Sequence, residues 1–186
     1  MDDEISGRAV GGKARASALS PARRQEIARS GAEARKALQA LPQATHGSAD
    51  HPLKLGDAEI SCYVLNDGTR VLSQRGVIGA LGMARGSGGT NSGGDRLAGF
   101  FGGKGISPFV TNEMRDAIQS PIRFRSGGGV TFGYPATLLA DICDAVLSAR
   151  RAGALQTQQK HIAQQAEILV RGFARVGIIA LVDEAT

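Results

Sequence analysis

The sequence predicts an α+β fold: small β-hairpins packed with helices, a basic N-terminal helix and a long apolar C-terminal helix. Three observations support this prediction. Two strand–turn–strand patterns lie at residues 60–72 and 122–134, capping residues precede several segments that have an apolar face, and one broad apolar face runs through residues 157–186. With 186 residues, 42% of them hydrophobic, the chain is long enough for one domain and an appendage.

The first predicted element is a helix from about residue 21 to residue 40. Ser20 is a good N-cap, Pro21 suits the first helical position and Pro42 closes the segment. Because its apolar stripe is thin, the helix is either a basic recognition arm that docks on a partner or a solvated, partly disordered tail. We assign residues 1–41 to this basic helical arm, residues 42–52, with their two prolines, to a linker, and residues 53–186 to the α+β domain.

The domain begins with a predicted hairpin and a short helix. Alternating residues at 60–65 lead into Asn66-Asp67-Gly68, which has the chemistry of a tight turn, and residues 69–72 return as the second strand. Ser73 then caps a helix that ends at Gly82. Residues 84–105 hold nine glycines and predict a mobile loop interrupted by a short helix at residues 96–101.

Glycine-rich loops can cradle phosphates, and the P-loop is the pattern typical of such loops. The Gly-Lys pair of residues 84–105, Gly103-Lys104, is followed by Gly105 instead of Ser or Thr, which excludes a P-loop. Two interpretations stay open: a plain flexible loop, and a loop that lies along a nucleic-acid backbone through Arg85, Arg96 and Lys104.

The remaining elements are two helices with a hairpin between them, followed by one long helix. Thr111 and Pro135 open the two helices, and residues 122–125 and 130–134 form the second predicted hairpin. The long helix starts near Thr157, and its C-terminal third, VGIIALVDEA, is apolar nearly all round. Because few residues follow to cover this stretch, we expect it to self-associate as a homo-oligomer. The predicted oligomer interface consists of Leu169, Phe173, Val176, Ile178, Ile179 and Leu181.

Positive charge is concentrated in two regions of the chain. Residues 5–41 have eight Lys and Arg against two Glu, and residues 70–125 have eight Lys and Arg against three acidic residues, whereas residues 126–186 are neutral. Such regions favour a polyanion as partner, although a net charge of +5 is also common in proteins that bind no nucleic acid. The predicted nucleic-acid-binding residues are Arg23, Arg24, Arg29, Arg70, Arg75, Arg85, Arg96, Lys104, Arg123 and Arg125.

The sequence shows no pattern typical of a catalytic or metal site. Cys62 and Cys143 are far apart and the three histidines are not grouped with them, so the paired ligand spacing of a zinc site is lacking. We expect both cysteines to be small buried hydrophobes. The close carboxylates Asp141 and Asp144 have no neighbouring His, so we expect no enzymatic activity, no metal and no cofactor.

The apolar stretches are too short to cross a bilayer, and the acidic start MDDEISGR is unlike a signal peptide. We therefore expect a cytosolic protein without a membrane partner. In that compartment thiols stay reduced, so a disulfide is not expected either.

Two long motifs carry a resemblance to a known family. VLSQRGVIGALG and RGFARVGIIALVDEAT, within residues 53–186, resemble the P-sixty-three-C domain proteins of prophages and mobile elements. The N-terminal piece GGKARASALSPARRQEIARSGAEARKAL resembles a basic helical segment found ahead of several such proteins. Members of that family usually continue into a further helical region, and the resemblance names no reaction.

The order of the elements carries a second resemblance. A hairpin, a short helix ending in Ala80-Leu81-Gly82, basic loops, and then a second hairpin with its helix are similar to the Bro-N and KilA-N modules of phage antirepressors. The corresponding run here is residues 63–83, and its second strand lacks the aromatic residues that those modules often have. This resemblance implies DNA binding or antagonism of a repressor.

From these observations we expect a non-enzymatic, DNA-binding regulator of a phage or mobile element. The alternative is a protein-interaction module, antirepressor-like or an inhibitor of a host protein, that acts through a homo-oligomer. The two are compatible, because many DNA-binding regulators are dimers.

Overall fold

The computed structural model describes residues 11, 14–15, 17–83 and 92–185, without the side chains of residues 92–95. The chain forms two compact units, Met1–Leu41 and Pro42–Thr186. The fold is α+β, as predicted, although some of its strands were not predicted.

The described helix of the first unit is α1 (Pro21–Gln39). The Ser20 hydroxyl accepts a hydrogen bond from the backbone N–H of Arg23 at 3.3 Å, and Pro21 occupies the first turn, which confirms the predicted start. No residue of α1 is buried. Its order therefore comes from the cap and from ion pairs along its own surface.

Seven described strands form two sheets in the second unit. The strands are β1 (Ala44–His46), β2 (Leu53–Leu55), β3 (Ala58–Ile60), β4 (Cys62–Leu65), β5 (Arg70–Ser73), β6 (Ile122–Ser126) and β7 (Gly129–Pro135). The larger sheet is antiparallel with the order β1-β4-β5-β7-β6, and β2 pairs with β3. The β4–β5 and β6–β7 hairpins are the two that the sequence predicted.

The edges of the larger sheet meet at the start of the second unit. The backbone N–H of Arg125 donates to the carbonyl oxygen of Pro42 at 2.8 Å, and the N–H of Asn66 donates to the carbonyl oxygen of Gln43 at 2.9 Å. Residues 42–43 thus join β6 to the turn between β4 and β5, and the sheet curls. Its inner face encloses a small core of Tyr63, Leu65, Val71 and Phe124.

The predicted linker at residues 42–52 is wrong in its first half. Residues 42–43 close the sheet, and β1 pairs with β4, where the Thr45 hydroxyl also donates to the carbonyl oxygen of Val64 at 3.1 Å. The second unit therefore begins at Pro42, not at residue 53. A three-residue edge strand held by backbone hydrogen bonds needs no apolar alternation, so its composition resembles that of a linker.

The β2–β3 hairpin is absent from the sequence prediction. Its turn uses Gly56 at φ +60°, and Leu55 and Ile60 bury their side chains in the main core. The predicted strand at residues 60–65 is consequently two strands, β3 and β4, with a break at Ser61.

Five further helices are described in the second unit. They are α2 (Gln74–Ala80), α3 (Ser92–Phe101), α4 (Asn112–Gln119), α5 (Leu138–Arg151) and α6 (Lys160–Ala185), with 3₁₀ turns at Ser107–Phe109 and Thr157–Gln159. Ser73 and Thr111 cap α2 and α4 through their hydroxyls, as predicted. The main core lies between these helices and the outer face of the sheet, where Leu72 pairs with Tyr134.

The helix α6 changes surroundings along its length. Ile162, Ala166 and Leu169 are buried in the main core, and the backbone at Gly172 passes close to Leu55 of β2. From Val176 onward the large apolar side chains are exposed. The first half of α6 is therefore a core helix, whereas the second half presents apolar side chains to solvent.

Candidate nucleic-acid interface

The start of α2 holds Arg75 at the surface. The Ser73 hydroxyl accepts a hydrogen bond from the N–H of Gly76 at 3.1 Å, which fixes the first turn. Gln74 is 5% exposed and donates from its side-chain amide to the Tyr134 hydroxyl at 3.0 Å. Because both residues before it are anchored, the exposed Arg75 projects from a defined backbone position.

On the β6–β7 hairpin, Arg123 lies opposite Phe132. The guanidinium carbon of Arg123 is 5.8 Å from the centre of the Phe132 ring, which is a cation–π contact. Arg123 is exposed and Phe132 is half-buried. The ring orients the guanidinium and leaves its N–H groups available to a ligand.

A cleft of about 280 Å³ is lined by both Arg75 and Phe132, and we call it the Arg75 cleft. Arg75 and Phe132 lie on its wall together with polar groups from Ser61, Tyr63 and Thr131. No carboxylate lies among its lining residues, which are Ala49, Ser61, Tyr63, Ser73, Gln74, Arg75, Val130, Thr131 and Phe132. The cleft therefore combines a positive charge with hydroxyls and an aromatic ring.

Arg75 also borders a second groove, of about 420 Å³. Asp57 and Glu59 line that groove, and Glu59 forms an ion pair with Lys54 at 3.3 Å. The two carboxylates lower the positive potential on that side of Arg75, and the charge of Lys54 offsets part of their effect.

The other basic residues predicted in the second unit occupy different environments. Arg70, Lys104 and Arg96 are exposed, on β5, after α3 and on α3 respectively. In the described part of the chain, no carboxylate forms an ion pair with Arg70, Arg75, Lys104 or Arg123. Arg85 lies outside the described residues.

Arg125 differs from the other predicted contact residues, because its side chain also supports the fold. It is half-buried, donates from Nη2 to the side-chain oxygen of Gln43 at 3.1 Å, and has a buried Nε without a hydrogen-bond partner among the described residues. Together with the backbone bond to Pro42, these contacts place Arg125 in the closure of the sheet. Arg125 thus takes part in the fold, and its assignment as a phosphate contact stays a prediction.

The predicted contact residues of the first unit are all exposed and lie on α1. Arg23 and Arg29 form ion pairs with Glu26 at 2.6 Å and Glu33 at 3.1 Å. Arg24 donates from Nε to the carbonyl oxygen of Leu19 at 3.2 Å. Such exposed i,i+3 and i,i+4 pairs are weak enough for a phosphate to replace the glutamate.

The predicted oligomer interface divides into two groups. Leu169 is completely buried in the main core and Phe173 is half-buried against it, so the prediction is wrong for Leu169. The apolar face continues through α6, but its first half is covered by the protein itself. The remaining members, Val176, Ile178, Ile179 and Leu181, are 54–65% exposed.

The two cysteines have different environments. Cys143 is completely buried in α5, where burial, and after it the neighbouring Asp144 carboxylate, raises the pKa of its thiol to about 12. Cys62 is only half-buried, so the expectation of a buried hydrophobe is met for Cys143 alone. A thiol with so high a pKa is protonated at neutral pH and is a poor nucleophile.

A groove of about 490 Å³ runs between α4 and α5 and contains the carboxylates noted in the sequence. Asp141, Asp144 and Glu113 line it with Ser148, without a histidine among its lining residues. Among the described residues no group of three or more His, Cys, Asp or Glu side chains is arranged to hold a metal ion.

The contact between Arg123 and Phe132 was not predicted, although the sequence contains a signal for it. Gly127 and Gly128, both with positive φ, form a two-residue turn, which sets the register from Ser126 opposite Gly129. Counting three residues away from the turn on each strand places Arg123 opposite Phe132. The Arg75 cleft has no such local signal, because its walls come from four separate parts of the chain.

Comparison of the chain with family models, with curated proteins and with solved structures finds no match. Among the described residues, no helix is both long enough and apolar enough to cross a membrane.

Proposed function

We propose that this protein is a DNA-binding regulator of a phage or mobile element, without enzymatic activity, in the cytoplasm of a bacterial cell. The observation that carries the proposal is that four of the predicted contact residues, Arg70, Arg75, Lys104 and Arg123, are exposed and have no carboxylate partner among the described residues. The resemblance to prophage proteins and antirepressor modules supports the biological setting.

Unpaired surface cations favour a polyanion for a physical reason. A Lys or Arg that already has a carboxylate partner loses that ion pair when it binds a phosphate. An unpaired Lys or Arg binds the phosphate without losing an ion pair. Each phosphate contact also releases condensed counterions from DNA, and this release accounts for much of non-specific affinity. Arg70, Arg75, Lys104 and Arg123, which lie in the basic region of residues 70–125, are therefore the expected phosphate contacts.

The positions of Arg75 and Arg123 strengthen the argument. Arg75 follows two anchored residues and Arg123 rests on the Phe132 ring, so binding immobilises less side-chain freedom than it would at a flexible site. The Arg75 cleft adds hydroxyl donors without a carboxylate that would repel a phosphate. We therefore place the centre of the DNA interface at this cleft.

Fluorescence anisotropy with a short labelled duplex, titrated at several salt concentrations, tests this proposal. We expect binding that weakens steeply between about 50 and 200 mM salt. The variant R75Q/R123Q should bind more weakly and lower the salt slope by about 2, since each phosphate contact contributes about 0.9. The matched control R151Q, an exposed arginine of α5 in the neutral region, should behave as the unmodified protein.

Two results would contradict the proposal. The absence of binding at low salt, or binding indifferent to salt, would remove DNA as the partner. If the unmodified protein binds DNA as expected but R75Q/R123Q and R151Q weaken that binding equally, DNA remains the partner and the Arg75 cleft is not its contact site.

A second candidate function is a protein-interaction module that acts through a homo-oligomer. The observation that favours it is the exposed apolar second half of α6. It does not compete with DNA binding, because the two surfaces use different residues.

A further inference from the structure

We propose that α6 pairs with α6 of a second copy of this chain in an antiparallel arrangement centred on Ile179. This inference deepens the second candidate function and is independent of DNA binding. It rests on three features of residues 175–183, which read RVGIIALVD.

The first feature is exposure. Val176, Ile178, Ile179 and Leu181 are 54, 65, 61 and 64% exposed, although residues earlier on the same helix are buried. At about 100° per residue these side chains lie on different sides of α6, and Val176 and Ile179 share one face. Water-exposed apolar surface of this kind is typical of a protein–protein contact.

The second feature is charge. Arg175, Ile179 and Asp183 are spaced four residues apart, so all three lie on one face of α6 with the isoleucine in the middle. In an antiparallel pair centred on Ile179, Arg175 of each copy lies opposite Asp183 of the other. In a parallel pair, each arginine would lie opposite the same arginine and each aspartate opposite the same aspartate. Charge complementarity therefore selects a second copy in the antiparallel orientation.

The third feature is the pair of valines that flank Ile179. At about 100° per residue, Val176 and Val182 lie about 60° to either side of Ile179, on the same face of α6 as Arg175 and Asp183. About the same centre, Val176 lies at the height of the partner's Val182. The pairing therefore covers exposed apolar side chains between its two ion pairs.

Neither Arg175 nor Asp183 forms an ion pair with a described residue of its own chain. The two groups are therefore available to each other across a two-fold axis. Such a contact is isologous: Arg175 binds Asp183 and Asp183 binds Arg175, and the pairing closes at two copies.

Sedimentation velocity over a concentration series tests the pairing and its orientation. The unmodified protein should dimerise, and V176Q/I179Q should be monomeric. R175E should dissociate about tenfold more readily, because it converts two attractive contacts into repulsive ones. The double variant R175E/D183R restores both contacts in an antiparallel dimer and should recover the original affinity. K160E, with the same charge change at the start of α6, is the matched control.

The outcomes separate the alternatives. A parallel dimer would be insensitive to R175E, since like charges already face each other there, and would not respond to the double variant. A monomer at all concentrations would overturn both this inference and the second candidate function, whereas a dimer unaffected by R175E would overturn the antiparallel pairing alone. Circular dichroism melting of each variant checks that the fold is unchanged.

Discussion

At the residue scale, a single buried hydrogen bond supports the proposed interface. The Gln74 amide donates to the Tyr134 hydroxyl beneath the exposed Arg75. Burial raises the pKa of Tyr134, whereas the bond from Gln74 acts in the opposite direction and lowers it. The pair links the start of α2 to β7 and thereby keeps two walls of the Arg75 cleft together.

The substitution Tyr134→Phe tests how much this hydrogen bond contributes to the free energy of unfolding. It leaves the buried Gln74 amide without its acceptor, so the free energy of unfolding should fall by about 1–3 kcal/mol. Tyr63→Phe is the matched control, because the Tyr63 side chain makes no hydrogen bond that the structure records within the described residues. Urea unfolding measures both variants, and an equal loss of stability in the two would show that the Gln74 bond has no special role.

At the element scale, two glycines differ in how much space surrounds them and therefore in their structural role. Gly133 in β7 lies beneath the Phe124 ring, and a Cβ added there would be 2.8 Å from the carbonyl oxygen of Leu72. Gly79 in α2 has nothing within 4 Å of an added Cβ. The first glycine is required by close strand packing, whereas the second only weakens its helix.

The substitutions Gly133→Ala and Gly79→Ala should therefore have opposite effects. Gly133→Ala forces the small core of the curled sheet apart and should cost about 1–3 kcal/mol. Gly79→Ala improves helix propensity without a clash and should stabilise the protein by up to about 1 kcal/mol. Chemical denaturation of the two variants side by side gives the comparison, and a stabilising Gly133→Ala would contradict the described packing of β7.

At the scale of the whole molecule, both units contain a region with an excess of Lys and Arg. The region of α5 and α6, in contrast, has no net charge. The cations of α1 without an ion pair among the described residues are Arg24, Arg35 and Lys36. If both units contact the same DNA, the arm contributes its own share of the salt dependence.

The triple variant R24Q/R35Q/K36Q measures this contribution. We expect the salt slope of DNA binding to fall by nearly 3, at about 0.9 for each lost phosphate contact. Circular dichroism confirms that α1 stays helical, because glutamine is a good helix former. An unchanged slope would make α1 a solvated helix, the alternative that the sequence left open, and would confine DNA binding to the second unit.

The sequence predicted the elements whose signals are local. The caps at Ser20, Ser73 and Thr111 and the turn glycines at 127–128 act over a few residues, so the helices and hairpins they delimit were recognised. It was less successful with β1 and β2–β3, whose three-residue strands are too short for a periodic pattern.

By itself, the sequence determined the α+β class, most of the element order and the separation of the basic regions from the neutral one. Only the tertiary structure decided which side chains on those elements are exposed. Arg125 and Leu169 look like Arg123 and Ile179 in sequence, yet the sheet closure engages the first and the main core buries the second. The physical reason is that burial depends on which distant segments fold over a residue, and that information lies outside its local pattern.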